Sequence, residues 1–551
     1  VKGLVSATLL LLLAGGLVAQ PGTAWLWAQG AGGPGLDSGN AIVMDGVGNI
    51  YVTGRFTGTA TFGSTTLSSL GTSDAFIAKL DPAGNWLWVI QTGATQDAEG
   101  FGLAVDQADN IYVTGGFSAS ASFGSTTLTS SGNLDIFIAK LDGSGNWLWA
   151  AQAGGTEVDR GYAVAVDSGF NVYITGEFED FAFFGSLQTI SVGFGDVFVA
   201  KLDPGGNWLW AKSGGGPYNI PDQGRGIAVD AQANVYITGA FSGTAYFGLF
   251  YFSERGSGDI FVAKLDTIGT WLWVLPAGGV GSDWGSGLVL DSSADVYLTG
   301  SMSGNAAFGN IICTSHGSTD AFVAKIDTNG YWVWATNAGG SNADNSFGMA
   351  RDTAGNLCLT GIFRNQAQFG NTTITGTGNT DIFTAKLDPA GNWLWAVNAG
   401  GPGMDYGYGI AVDGSGKISQ TGFFSGSAGF GSNSITSQGS WDIFIARFDP
   451  AGVAIEDYTA PETPELSILK DIYPNPCRRG DSPVLRAEIA ERQGGVLFIH
   501  NLRGQLISSH RLGSGIHQVS FETSGLPAGI YLCRLETASR SSVKKLVLVG
   551  R

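Results

Sequence analysis

Six aspartates stand at matched places in this chain: Asp37, Asp159, Asp222, Asp283, Asp344 and Asp405. Each lies eight residues ahead of a second aspartate that closes a short apolar segment. At a further matched place the residue is Ala98, with Asp97 beside it. Carboxylate oxygens suit hard cations such as Ca²⁺, and they also accept hydrogen bonds from polyhydroxyl ligands. If the following strands line a central channel, these carboxylates would ring one mouth of it as a cation or ligand site. An aspartate before a strand also caps its own loop by accepting backbone N–H bonds. The residue type fits both readings. The second aspartates (Asp106, Asp167 and Asp230 among them) and those of the Asp-x-x-Gly-Asn stretches read as turn residues.

A single specific site breaks the symmetry of a repeated chain, so the departures are the other candidates. The loop over residues 214–226 is the longest of its kind and carries Tyr218 and Arg225. Trp284 and Trp441 stand outside the motif that holds the other tryptophans, and Arg160 is an unusual cation for its place. These are candidate asymmetric ligand contacts. Catalysis has thin support. Only His316 of the four histidines lies in the repeated region, and no HExxH, GxSxG or His/Cys metal spacing occurs. Carboxylates are too many for spacing alone to choose a glycosidase pair. No catalytic residue is assigned, and no cofactor is expected beyond an optional Ca²⁺.

The elements that must position these groups follow from Trp25-Leu26-Trp27, which returns six times, ending with Trp332-Val333-Trp334 and Trp393-Leu394-Trp395. The steps are 61 residues, except one of 63, and the copies hold 14 of the 16 tryptophans. Repeats of this length mark propellers, solenoids or arrays. Within one period, residues 102–106, 110–115, 135–141 and 146–150 read as strands, rich in β-branched and aromatic types. Glycine-bearing turns separate them, and residues 123–128 suggest an extra short hairpin. No segment has a helical period. Four antiparallel strands per period and seven periods predict an all-β chain built as a seven-bladed β-propeller over residues 20–452. A β-solenoid is the runner-up, against which the hairpin turns argue.

The pattern Ala-Val-Asp-x-x-x-Asn-Val-Tyr-x-Thr-Gly, followed by Asp-x-Phe-x-Ala-Lys-Leu, resembles the bacterial seven-bladed β-propeller (SBBP-type) repeat. The chain enters on a Trp-Leu-Trp strand before any complete period, and its last Asp442-Ile443-Phe444 segment has no tryptophan strand after it. Trp25–Trp27 is therefore expected to complete the last blade and latch the ring. Period-two geometry puts both indoles of a pair on one sheet face, and sevenfold repetition argues for packing between blades rather than for seven sugar platforms.

The formal net charge of −18 divides unevenly: 12 Lys+Arg face 6 Asp+Glu from residue 470 onward, leaving −24 on the rest. A body this acidic repels phosphate backbones and excludes nucleic acid as a partner. Four cysteines (Cys313, Cys358, Cys477 and Cys533) make no framework, although Cys477 and Cys533 share one region, where a bridge is an open option.

Residues 1–19 read as an export signal, with Lys2, a leucine run and small residues toward Ala19. Residues 453–466 form an acidic, proline-bearing linker. Beyond it, alternating apolar runs predict a small Ig-like β-sandwich over residues 467–551. Tyr473-Pro474-Asn475-Pro476, then Ile499 to Gly504, then Leu526-Pro527-Ala528-Gly529-Ile530-Tyr531, and finally Lys544-Lys545, resemble the C-terminal sorting domain of type IX secretion. Asn501 stands where that family often has Asp. The resemblance implies passage across the outer membrane by the type IX machinery, processing by its sortase, and attachment at the outer surface. The expected role is an exported binding or scaffold module for polysaccharide or protein. An extracellular polysaccharide hydrolase or lyase and a structural surface-layer protein are the alternatives.

Overall fold

The computed structural model describes residues 25–453 except 219, and 468–550 except 474, 490–494, 504, 513–514 and 538–540. The expected export signal and the linker from residue 454 onward lie outside the described residues. The chain divides into two compact units, within residues 1–454 and 455–551. The described residues are all-β apart from one 3-10 turn, Pro450–Gly452.

The first strands are β1 (Trp25–Ala31), β2 (Ser38–Met44), β3 (Ile50–Phe56), β4 (Thr59–Phe62), β5 (Thr65–Ser68), β6 (Asp74–Leu80) and β7 (Trp86–Gln91). β2, β3, β6 and β7 form one antiparallel sheet in that order, while β4 and β5 make the short hairpin expected between the second and third strands. This order recurs along the chain in propeller-like sheets, to the last, built from Tyr406–Val412, Ile418–Phe424 and Asp442–Phe448. Its fourth strand is β1, antiparallel to Asp442–Phe448 with Ala28 opposite Ala446. The beginning of the repeated region thus closes its end, as the missing tryptophan strand required. Innermost strands of successive sheets contact one another, and Tyr406–Val412 contacts β2, so the succession returns to its start.

The tryptophans pack the sheets. The first of each pair covers its own period's short hairpin: Trp86 lies edge-to-face on Phe62 at 5.5 Å, and Trp147 on Phe123 at 5.1 Å. Such contacts contribute about 0.5–1.5 kcal/mol beyond the burial itself. The hairpin turns through Gly63 at φ +61, and a Cβ there would sit 2.5 Å from the Trp86 ring. Only glycine meets both conditions. In five pairs the second indole crosses to the next sheet and its N–H finds a turn carbonyl, as Trp27 does with Pro82 at 3.2 Å and Trp149 with Pro204 at 3.1 Å, whereas the Trp273 N–H has no partner. The intervening leucines, such as Leu87 and Leu148, face outward at 52% exposure.

Two kinds of aspartate hold the loops. Asp106 shows the turn kind, accepting from the N–H groups of Ala108 and Asn110, the Asn110 side chain and the Tyr112 hydroxyl. Burial works to raise its pKa, but these hydrogen bonds outweigh it and hold the carboxyl below its ordinary value. The six matched aspartates are the other kind. All are buried, and each accepts two backbone N–H bonds, as Asp222 does from Gly216 at 2.9 Å and Ser242 at 2.7 Å. A second buried aspartate faces each one from the start of a third strand. A Cβ on Gly215 would lie 2.5 Å from Asp196 Oδ1 and 2.7 Å from Asp222 Oδ2, so the two carboxyls meet over that glycine. Asp196 Oδ1, like Oδ1 of Asp135, Asp259, Asp320 and Asp442, has no hydrogen-bond partner. Where Ala98 replaces the matched aspartate, Asp74 Oδ1 instead accepts from Ala94 N.

The C-terminal unit has a three-stranded sheet of Ile468–Tyr473, Val484–Ile489 and Gly515–Ser520, and a five-stranded sheet whose centre is Ser541–Val549, Gly529–Thr537 and Gly495–Asn501. Leu469, Leu485 and Val519 of the first share one core with Leu497, Cys533, Leu546 and Leu548 of the second. Asn475 ties down the last strand, donating to the Lys545 carbonyl at 2.6 Å and accepting from Val547 N at 2.9 Å. Asn501 accepts from Arg503 N and Gln505 N at 3.0 Å, performing the turn role of the aspartate it replaces. All four cysteines are free and buried. Cys477 pairs with Leu548 and Cys533 with Lys544, four residues apart on one strand. That offset of about 13 Å excludes the optional bridge.

Two outcomes follow for stability. Deleting residues 25–31 removes the closing strand and should lower the melting temperature sharply, with Trp25→Ala alone costing about 3 kcal/mol; an unchanged melt would defeat the latch. The matched aspartates give a pH dependence. Burial, joined at Asp222 by the neighbouring Asp196 carboxyl, pushes Asp222 up to about 8. It likewise pushes Asp159 and Asp405 up to about 7, and Asp37 and Asp344 up to about 6. A raised carboxyl stabilises the fold fully below the ordinary 3.8 and loses that contribution as pH rises through its folded value. The urea midpoint should therefore fall from pH 5 to pH 9, and Asp222→Asn should flatten the fall. A midpoint that is level or rises over this range rejects the paired-carboxyl account.

Candidate ligand-binding site

Every innermost strand carries a bulge at the same place. In β2 the register to β3 shifts between Gly39 and Ala41, leaving Asn40 unpaired. The matching bulge residues are Phe101, Tyr162, Arg225, Ser286, Phe347 and Tyr408. A bulge bends the strand and re-aims its extra side chain, which is why such features gather beside binding sites. These residues all line one cavity of about 680 Å³, within the range of small-ligand sites. Four of the seven are aromatic and the others are Asn40, Arg225 and Ser286, so the position is not held to one residue type.

One sector of the cavity is aromatic. Trp441 stacks on Phe423 at 4.5 Å, Phe423 on Tyr406 at 4.7 Å, and Phe347 meets Tyr408 edge-on at 5.3 Å. The loop of Trp441 is held by a bridge to Leu36, with Asp37 N donating to the Trp441 carbonyl at 3.0 Å. Burial pushes the Tyr408 hydroxyl up to about 12; Tyr406 and Glu99 add to the rise, while Arg55 and Arg225 oppose it.

The other sector is polar and networked. Arg55 meets Glu99 at 3.5 Å, and Asn40 donates to Glu99 at 2.8 Å. Glu177 is nearly enclosed and accepts from Arg160 and from the Tyr162 hydroxyl, both at 2.6 Å, and from Gln223. The Arg225 guanidinium lies over the Tyr162 ring, 4.3 Å from its centroid, with Nε and Nη2 directed at Gln223 Oε1. Ser38, Ser242, Ser257, Ser282 and Ser286 add hydroxyls around the mouth.

The sequence candidates distribute unevenly. Arg225, Trp284 and Trp441 line this cavity. Of the matched aspartates Asp37 and Asp283 border it, with both oxygens engaged by backbone N–H groups. Asp159, Asp222, Asp344 and Asp405 are buried outside its lining, each capping its loop. Tyr218 packs over Gly243 away from the cavity, and Arg160 acts through Glu177. Among the described residues no group of three or more His, Cys, Asp or Glu side chains is arranged to hold a metal ion. Sequence reasoning missed Asn40, Phe101, Tyr162, Phe347, Tyr408, Arg55 and Glu99. A signal was present three residues after each matched aspartate, where the periods carry five different residue types among otherwise similar strands.

Residues 87–115 match the family described as beta-propeller repeat, SBBP, and residues 471–549 match the secretion system C-terminal sorting domain. A WD repeat-containing protein of Acanthamoeba polyphaga mimivirus is 25% identical over 500 residues, covering 72% of this chain and 36% of its own length. The regulatory protein FlaEY of Caulobacter vibrioides is 27% identical over 196 residues, 32% of this chain and 20% of its own. The chain thus spans about a third or less of these relatives. Among solved structures, a fungal alcohol oxidase in complex with copper overlaps 95% of this chain and 99% of its own, at 14% identity and a TM-score of 0.40. PorZ, a surface component of the type IX secretion system of Porphyromonas gingivalis, overlaps 93% of this chain and 81% of its own, at 11% identity and a TM-score of 0.20. At such scores these overlaps carry no argument. The chain thus carries a match to the SBBP beta-propeller repeat and a secretion system C-terminal sorting domain, and the latter indicates export by type IX secretion to the cell surface or release from it.

Proposed function

We propose that this protein is an exported binding module, a seven-bladed β-propeller that presents one carbohydrate site at the mouth of its axis. A small Ig-like sandwich at its C-terminus serves delivery by type IX secretion. One observation carries the reading: the side chains that escape the repeat converge, one bulge residue per inner strand, on a single cavity. Packing needs the same residue in every period, whereas a ligand that lacks sevenfold symmetry needs different ones. The lining fits a polyhydroxylated ring. Aromatic plates take the apolar face of a sugar, and serine, asparagine and glutamine groups meet its hydroxyls. Aliphatic side chains are few there (Leu36, Ile220, Pro221 and Ala240), which suits a sugar better than an apolar peptide.

A glycan array probed with the intact protein, with calcium and with chelator, tests this. Binding is expected in both conditions, because Asp37 and Asp283 already spend their oxygens on backbone N–H groups. Trp441→Ala should weaken binding about tenfold, as loss of one stacking face does, in protein that remains folded at the assay temperature. Capture of a protein ligand with no glycan binding would overturn the carbohydrate assignment. For delivery, Asn475→Ala frees the last strand of the sorting domain. Replacing the exposed Lys544 and Lys545 alters the motif itself. Either change should leave the protein in the periplasm, measured by protease protection of intact cells; normal display would refute the role given to this tail.

A further inference from the structure

Resting on the carbohydrate reading above, we infer that the site selects a sugar bearing one carboxylate, a terminal uronic acid or its like, and that Arg225 reads that group. Three arginines belong to this region, and two are spoken for: Arg55 pairs with Glu99 at 3.5 Å and Arg160 with Glu177 at 2.6 Å. Arg225 has no carboxylate within ion-pair distance among the described residues. Its guanidinium is placed all the same, stacked 4.3 Å over Tyr162 and hydrogen-bonded to Gln223. It is an exposed side chain lining the cavity, set there by the bulge between Gly224 and Gly226. Gln223 takes Nε and one N–H of Nη2, and a guanidinium fixed in this way, with no carboxylate partner, is a recognition device for a carboxylate at its remaining N–H donors.

The charge around it limits the ligand. The body before residue 470 carries −24, so a polyanion laid across the surface is repelled. A single carboxylate beside Arg225 lies within a Debye length of that one cation and escapes most of this repulsion. Of the other charged groups in the lining, Arg55 and Glu99 pair with each other and Asp37 and Asp283 accept backbone N–H bonds, while neutral contacts come from the aromatic faces of Phe423 and Trp441 and the polar groups of Asn40 and Ser286.

Calorimetric titration of the intact protein with methyl glucuronoside and methyl galacturonoside, their methyl esters and the parent neutral glycosides tests the inference. A free acid should bind about tenfold or more tightly than its ester, the difference expected of one charge-assisted pair. Arg225→Gln should erase the difference between acid and ester, and Arg225→Lys should restore part of it. Added salt should weaken only the acid. Equal binding of acid and ester, unaltered by Arg225→Gln, overturns this inference and leaves the carbohydrate reading in place. Binding of no glycoside by protein with the wild-type melt overturns both.

Discussion

The inner strands approach one another so closely that the residue before the bulge is glycine in six of them and the small Ser346 in the other. A Cβ on Gly39 would lie 2.2 Å from Thr421 Oγ1, and one on Gly100 equally close to Thr53 Oγ1. These threonines are themselves fixed, Thr53 donating to the Phe76 carbonyl at 2.7 Å and Thr421 to Phe444 at 2.8 Å. Each strand must therefore hold a small residue at this point and release its next residue as a bulge. From that steric limit the rest follows. The sheets pack at a constant spacing, the bulge residues escape the repeat, and one cavity collects them all.

The same limit separates what repeats from what does not. Trp-Leu-Trp, the turn aspartates and the paired carboxyls meet identical neighbours in nearly every period, so any change there disturbs packing. Ala98 is instructive: without a facing carboxyl, Asp74 takes a backbone N–H instead, and the strand still runs Ala98–Val105. A bulge side chain meets only its ring neighbours and the cavity. Asn, Phe, Tyr, Arg and Ser all occupy this position without altering the strand that carries them.

Much of the fold was legible because its signals are local. The 61-residue step, the alternation of each strand and the glycine turns each reflect geometry settled within a few residues. The closing strand was legible by its absence at the far end. The matched aspartates misdirected the search for a site, since spacing shows that Asp159 and Asp222 are equivalent but not that their oxygens are spent on Gly155 N and Gly216 N. Arg225 and Trp441 were visible as departures from the repeat, whereas Tyr408 and Phe347 were not, being ordinary aromatics in an aromatic-rich chain. What joins them is a bulge, and a bulge is a relation between two strands.

The electrostatics of the cavity then become a matter of subtraction. An isolated cation on a surface this acidic would ordinarily be neutralised by a neighbour, as Arg55, Arg160 and Arg447 are. Leaving Arg225 unpaired gives up that gain, and its stacking on Tyr162 holds the guanidinium in one pose. A fork held in place by Tyr162 and Gln223 but without a carboxylate has already met much of the ordering cost of binding. The neighbouring Glu177 is satisfied by three other donors and has no call on it. Of the arginines in this region, Arg225 is the one left without a carboxylate, and it stands in the lining of the cavity.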